Sequence, residues 1–184
     1  MVFMGTVKTL LTFEEFEQLP EQPAKQELVR GELIEMPPAE YKHHLIADRI
    51  WDSLKAALAE AHARGEAGDL GRVFREMGYR LPGEGWLVPD VSVTHAGQRV
   101  EKYLLGAPAI AVEVISPSNT AKRIDAKAEL YFQFGAREVW RFFPKTKHVM
   151  IQIHGSARVI AGDSVITTPL LPGLALTVKE IFGD

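Results

Sequence analysis

The 184-residue sequence contains no cysteine and no long uninterrupted apolar run. Without cysteine the chain can form neither disulfide bonds nor thiolate metal sites. A membrane-spanning helix needs ~18 or more mostly apolar residues, and no apolar stretch reaches that length. The first residues also lack the positive charge and apolar core of a secretory signal peptide. We therefore expect a cytoplasmic protein with no membrane partner.

An excess of positive charge is also absent. The chain has 21 lysine and arginine residues against 24 aspartate and glutamate residues, a formal net charge of -3. This balance excludes a domain coated with basic residues for nonspecific nucleic-acid binding. It does not exclude a nuclease, because carboxylates in an active site lower the total charge. Contact with phosphate would then need a local patch, for which there are two candidates: Lys122, Arg123 and Lys127, or Arg137, Arg141, Lys145 and Lys147.

Several catalytic and cofactor motifs are missing as well. The sequence has no P-loop and no GxGxxG motif, so a nucleotide cofactor is unsupported. The histidines at 62, 95, 148 and 154 are too scattered to indicate a zinc cluster. No histidine and aspartate are spaced to mark a serine nucleophile.

What is present is the composition of one globular domain, which we expect to span residues 1–184. The hydrophobic fraction is 46% and the charged fraction 24%, both ordinary for such a domain. Thr12 and Glu15 form a capping-box pattern that predicts a short helix. Residues 26–36 favour a hairpin, and residues 40–64 show the apolar spacing of a long helix.

The rest of the chain predicts strands with one helix among them. We expect strands at 72–81 and 86–94, a loop at 96–108, a buried strand at 109–116, a helix at 120–134, then short strands and a closing helix at 178–182. This order indicates an α/β (α+β) fold with a mixed central β-sheet flanked by helices and an N-terminal hairpin.

The buried strand contains a carboxylate in an unusual place. Glu113 interrupts the apolar stretch AIAVEVIS, where an ionised group is costly unless a positive charge meets it. Asp90 lies in the preceding strand candidate, so neighbouring strands would bring both acids into one pocket. Mg²⁺ would relieve their repulsion, since it prefers carboxylate and carbonyl oxygens. Asp90, Glu113 and the backbone carbonyl of Val114 therefore predict a magnesium site, with Mn²⁺ as a possible substitute.

A lysine could reach this pocket from the next helix. Period-two alternation places apolar Ile115 on the same side of the strand as Glu113. Lys127 lies in the following predicted helix, and Tyr131 is four residues on, over the same face. Lys127 could orient a water and help it lose a proton. The alternatives are a solvated Lys127, a Tyr131 that only packs, and a Glu113 paired structurally with a buried cation.

The order and spacing of these residues resemble a known family. The stretches VPD at 88–90, VEVISPSNT at 112–120 and IDAKAELYFQFGAREVW at 124–140 are similar to the Uma-type family of restriction endonucleases, which belongs to the PD-(D/E)xK nuclease superfamily. ELVRGELIEMPP resembles the family's N-terminal hairpin, and HHLIADRI its following helix. The PD dipeptide alone carries no weight, whereas the combined order is specific.

The resemblance implies a restriction-endonuclease-like fold and a Mg²⁺-dependent endonuclease that hydrolyses phosphodiester bonds of DNA. It implies that the lysine, which usually follows the glutamate by two residues, has moved to the helix. It also implies a homodimer or higher homo-oligomer, for which the apolar C-terminal segments are a candidate interface. The implied catalytic residues are Asp90, Glu113, Lys127 and Glu32; Asp90, Glu113 and Val114 would bind the metal, and His43 or His44, with Tyr131, would line the site.

Two other functions stay open. One is a binding module that keeps the fold and holds nucleic acid or protein without cleavage. Retention of both acids and the lysine counts against it. The other is a metal-dependent hydrolase of small phosphoesters, which the modest acidity of the chain permits. Salt-dependent affinity for DNA would separate this last function from a nuclease.

Overall fold

The computed structural model describes residues 10–20 and 22–183, which form four α-helices and thirteen β-strands. The helices are α1 Phe13–Glu17, α2 Tyr41–Arg64, α3 Ala121–Gln133 and α4 Val178–Phe182. The strands are β1 Gln26–Val29, β2 Glu32–Glu35, β3 Leu70–Arg75, β4 Tyr79–Leu81, β5 Gly85–Leu87, β6 Val91–His95, β7 Leu104–Leu105, β8 Ile110–Val114, β9 Glu138–Phe143, β10 His148–Ile153, β11 Ser156–Ala161, β12 Val165–Ile166 and β13 Leu176–Thr177. None of the described helices is both long and apolar enough to cross a bilayer.

The local signals at the N-terminal end are confirmed. The N–H of Glu15 donates to Thr12 Oγ1 at 3.1 Å, and the N–H of Thr12 donates back to Glu15 Oε2 at 2.8 Å. This reciprocal capping box begins α1. Arg30 and Gly31 join β1 to β2 with φ angles of 49° and 81°, the positive values that a two-residue hairpin turn requires.

The central sheet has six strands in the order β11-β10-β9-β8-β6-β3. Among the strands described, its only parallel pair is β8 with β9, and helix α3 makes the crossover between them. Neighbouring β6 and β8 run antiparallel, with Val91 opposite Val112. The prediction of a mixed sheet flanked by helices is therefore confirmed.

A second sheet, in the order β2-β1-β5-β4-β7, was not expected at this size. The two strands predicted at 72–81 and 86–94 are each divided in two, and their halves belong to different sheets. The first break includes Glu76, whose φ is 46°. The second contains Pro89, which cannot donate to a strand ladder. The predicted loop at 96–108 also contributes the short strand β7.

The two faces of the central sheet have separate cores. Val112 and Val114 of β8 pack with the apolar side of α2, which includes Ile50 and Leu54. Ala111 points the other way, into the core formed by α3 and the second sheet. Because side chains alternate along a strand, Glu113 shares the face of Ala111 and lies under α3.

The apolar character of the C-terminal segments is largely explained by the first core. Ile151 of β10 and Ile181 and Phe182 of α4 are buried there. Helix α4 begins with a capping box between Thr177 and Glu180 and packs against α2. The predicted use of these segments as a subunit interface stays a prediction.

Candidate functional site

The pairing of β6 with β8 brings Asp90 and Glu113 to one end of the sheet. Asp90 immediately precedes β6. The antiparallel ladder, in which Val91 is opposite Val112, brings it to the end of β8 that carries Glu113 and Val114. Asp90 Oδ2 accepts the Val114 N–H at 2.7 Å. The first acid is thus attached to the backbone of the residue next to the second acid.

Helix α3 places a lysine and a tyrosine over Glu113. The Lys127 ammonium lies 2.7 Å from Glu113 Oε1, and the Tyr131 hydroxyl donates to the same oxygen at 2.7 Å. Residues four apart occupy the same face of a helix, so both groups reach one carboxylate. The structure therefore brings together Asp90, Glu113, Lys127 and Tyr131, as the sequence predicts.

A third acid, Glu27, completes this cluster and was missed. Lys127 Nζ donates to Glu27 Oε1 at 2.9 Å, and the Val88 N–H donates to the same atom at 2.9 Å. The Glu27 side chain is 1% exposed. Its Oε2 atom is buried and has no hydrogen-bond partner among the described residues. The signal that could have identified it is the same as for Glu113: a carboxylate beside the apolar residues of a short strand.

Glu32, the acid predicted from the hairpin, lies closer to the hairpin turn than Glu27 does. Glu32 is opposite Val29 and Ile34 is opposite Glu27, so Glu27 and Glu32 share one face of the hairpin. The Glu32 carboxylate is 3.8 Å from Arg123 Nη2. Its role as a catalytic acid or metal ligand stays a prediction.

Asp90 has two cationic neighbours. Lys25 Nζ donates to Asp90 Oδ1 at 2.9 Å, and His43 Nε2 lies 3.3 Å from the same oxygen. His44 is exposed, and its ring meets that of His43 edge-on at 5.9 Å between centroids. Of the two adjacent histidines, His43 therefore faces the acids. Lys25 was not predicted, because it precedes β1 in a segment with no periodic pattern.

The two acids differ in their affinity for protons. Burial alone would raise the pKa of Asp90, but the hydrogen bond from His43, the charge of Lys25 and the Val114 amide hold this pKa well below its usual range. Burial raises the pKa of Glu113; the Lys127 charge opposes this rise, whereas Asp90 and Glu27 add to it. Asp90 is therefore ionised at neutral pH. Glu113 is the acid whose ionised form a further cation would stabilise most, because its pKa is raised.

Lys127 and Tyr131 both keep their protons. Burial would lower the pKa of Lys127, but the carboxylates of Glu113 and Glu27 raise it above the ordinary lysine value. Burial and the same two carboxylates raise the pKa of Tyr131 well above that of a free tyrosine. Near neutral pH these groups are therefore hydrogen-bond donors and not bases.

The donor set fits a hard divalent cation. Asp90 and Glu113 supply carboxylate oxygens, and the orphaned Oε2 of Glu27 is a buried acceptor that a cation or its water could satisfy. Within residues 10–20 and 22–183, no group of three or more His, Asp or Glu side chains is arranged to hold a metal ion. Mg²⁺ does not require one, since it keeps several waters and is commonly held by one or two carboxylates.

Comparison with known proteins identifies the family and the fold. Residues 13–179 match the Uma2 family, described as "Putative restriction endonuclease". No curated protein matches. A solved structure from Anabaena variabilis, described as "a putative nuclease belonging to DUF820", is 22% identical, with a TM-score of 0.80 over 94% of this chain and 97% of that chain. At this identity the solved structure shows a shared fold. Because the family match spans most of the chain, the protein belongs to the Uma2 family.

Proposed function

We propose that the protein is a metal-dependent endonuclease that hydrolyses phosphodiester bonds in DNA. The observation that carries the proposal is the position of Lys127, whose ammonium is within 2.9 Å of both Glu113 and Glu27. Asp90 and Glu113 lie close enough to hold one cation, and Lys127 beside them can orient a water, which are the parts that metal-assisted phosphoryl transfer requires. The family description and the nuclease described from Anabaena variabilis support the same reaction class.

Asp90 and Glu113 would hold Mg²⁺ or Mn²⁺, with the Val114 carbonyl as a third oxygen ligand. When bound, the cation supplies a Lewis acid that stabilises charge developing on the phosphoryl oxygens. Asp90 suits this role because its depressed pKa keeps it ionised. Lys25 and His43 compensate its charge and hold the carboxylate in place.

Lys127 orients the attacking water. A protonated ammonium donates hydrogen bonds and carries a positive charge, so it favours hydroxide-like character in a neighbouring water. Glu27 and Glu113 fix the ammonium on one side and leave its remaining donor for that water. Tyr131 restrains Glu113 Oε1 at 2.7 Å, which leaves the second oxygen of Glu113 for the cation.

The first experiment is a calorimetric titration with Mg²⁺ and Mn²⁺ on the wild type, Glu113→Gln and Glu129→Gln. Glu129 is a matched control, since it lies on α3 and its side chain is 64% exposed. We expect binding by the wild type and Glu129→Gln, and its loss in Glu113→Gln. Since metal sites in nucleases can require phosphate, each titration is repeated with a DNA duplex.

Cleavage is then measured on supercoiled plasmid, single-stranded DNA, RNA and a small phosphodiester. Cleavage of DNA that requires Mg²⁺ or Mn²⁺ and disappears in Glu113→Gln would support the proposal. Metal binding with hydrolysis only of the small ester would replace it with a phosphoesterase. Binding of nucleic acid without any cleavage would instead favour the binding module.

A further inference from the structure

A cavity of about 120 Å³ lies beside the catalytic lysine. Met36 and Pro37, which follow β2, line one part of it, and Asn119 and Arg123 line another. Glu27 and Lys127 also contribute to its wall, so it adjoins the acid cluster. A single water needs only about 10–15 Å³ of such space, so the cavity has room for a larger polar group.

Asn119 presents two hydrogen-bond donors in a fixed direction. Its Oδ1 accepts the Ser116 N–H at 2.7 Å and the Ser116 hydroxyl at 2.9 Å. A backbone N–H can only donate, so the atom facing it must be the amide oxygen. The Asn119 NH₂ group therefore faces away from Ser116. Asn119 also lines the small cavity next to Glu113, so it borders both cavities.

Arg123 places a weakly paired guanidinium at the same cavity. Its side chain is 44% exposed, and its ion pair with Glu32 is long, at 3.8 Å. A charge-assisted hydrogen bond between such groups is ordinarily about 2.7–2.9 Å. With respect to the part of the chain that the structure describes, most of the guanidinium donors are thus available for an anion that matches their planar fork.

The second basic patch, which contains Arg137 and Arg141, does not place a weakly paired guanidinium on a cavity beside the acids. Arg137 is paired with Asp69 at 2.7 Å, and Arg141 is buried against Asp125 at 3.2 Å. Arg141 does line the small cavity beside Glu113, but its guanidinium is buried and paired with Asp125 and Gln152. Arg123, at the start of α3, is instead exposed and only distantly paired.

We propose that Asn119 and Arg123 form a subsite for a phosphate group of the nucleic-acid backbone, next to the phosphate being cleaved. This inference rests on the proposed nuclease function and specifies how a polymer is held. Arg123 exchanges its long contact with Glu32 for a bidentate contact with phosphate oxygens, and Asn119 donates to the same group. The acids hold the cation, while the amide and the guanidinium hold an anion.

The test is binding of a short fluorescent DNA duplex at a series of KCl concentrations, with Ca²⁺ in place of Mg²⁺. The variants are Arg123→Ala, Arg123→Lys and Asn119→Asp, with Arg99→Ala as control. Arg99 also has an acidic partner and is 75% exposed. Aspartate retains the acceptor for Ser116, so Asn119→Asp keeps the loop. It replaces the outward donors with a negatively charged oxygen, which would repel a phosphate. Thermal unfolding of each variant checks that it is folded.

We expect Arg123→Ala to weaken binding on the order of tenfold and to reduce the magnitude of the salt slope by about 1. Arg123→Lys should keep the slope and lose part of the affinity, since a point charge replaces the fork. Asn119→Asp should weaken binding and Arg99→Ala should match the wild type. Arg123→Ala and Asn119→Asp proteins that bind like the wild type would overturn the subsite alone. A wild type that binds neither duplex DNA, single strands nor RNA would overturn the nuclease proposal and the subsite with it.

Discussion

Lys127 Nζ donates to Glu27 Oε1 at 2.9 Å, although 100 residues separate the two in sequence. The contact joins α3, over the central sheet, to β1 of the second sheet. Lys127 also meets Glu113 at 2.7 Å, so one ammonium links both sheets to the candidate active site. The geometry of the proposed catalytic site and the contact between the two sheets therefore depend on the same side chain.

Substitution Lys127→Met should slow DNA cleavage on the order of 100-fold or more, because the donor that orients water is lost. It should also lower the free energy of unfolding by about 3–5 kcal/mol, since Glu113 and Glu27 are left buried without their partner. Cleavage rates and urea unfolding curves measure the two effects. The control is Lys102→Met, because Lys102 is 71% exposed and pairs with Glu17 at the surface. Cleavage by Lys127→Met at the wild-type rate would remove Lys127 from the mechanism.

Substitution Glu27→Gln tests the acid that the sequence did not reveal. Glutamine keeps an acceptor for the Val88 N–H, but it removes the charge and the orphaned carboxylate oxygen. We expect Mn²⁺ affinity to fall on the order of 10- to 100-fold, as for other groups that support metal ligands. Glu35→Gln is the control, since Glu35 is exposed on the neighbouring strand. Unchanged affinity in Glu27→Gln would limit Glu27 to holding Lys127.

The sequence predicts the parts of this site that depend on local pattern. Capping residues, the apolar spacing of α2 and the buried strand around Glu113 each leave a signal within a few residues. The order of Asp90, Glu113 and Lys127 along the chain adds the resemblance to a nuclease family. These signals suffice for the fold class and for four of the five clustered side chains, namely Asp90, Glu113, Lys127 and Tyr131, but not for Glu27.

The choice between Glu27 and Glu32 could not be made from sequence. The hairpin register places both on one face, two residues apart along it, so alternation does not distinguish them. The two acids differ in the distance of their carboxylates from α3, and this distance depends on how the second sheet packs against that helix. The division of the two predicted strands between two sheets could not be predicted for the same reason. Each half has the pattern of a strand, and only the packing of the sheets decides which sheet it joins.

Substitution Tyr131→Phe separates positioning from acid–base chemistry. Glu113 keeps its ion pair with Lys127, so we expect the free energy of unfolding to fall by only about 1 kcal/mol. Cleavage should slow while the shape of its pH profile stays the same, because the raised pKa of Tyr131 keeps the hydroxyl protonated throughout. Tyr103→Phe is the control, as its hydroxyl donates to Glu17 at 2.8 Å, outside the cluster. A pH profile altered by Tyr131→Phe would contradict a purely positioning role.

The pair of His43 and Asp90 predicts how stability depends on pH in the metal-free protein. Burial by itself would lower the pKa of His43, but the hydrogen bond and charge of Asp90 raise it above its ordinary value of about 6.5. The folded state thus binds this proton more tightly than the unfolded chain. The stabilisation is full below about pH 6.5 and is lost as the pH rises through the raised pKa. Asp90 behaves oppositely: its lowered pKa gives stabilisation above about pH 3.9 that is lost as the pH falls further.

Urea unfolding in EDTA across this pH range should therefore show a decline in stability above about pH 6.5 that His43→Gln reduces. The loss of stability at acid pH should persist in this variant, because Lys25 and the Val114 amide still favour ionised Asp90. His44→Gln is the matched control, since His44 is adjacent in sequence but exposed, and it should leave both declines unchanged. If His43→Gln and the wild type lose stability equally above pH 6.5, the ion pair with Asp90 does not contribute to the fold.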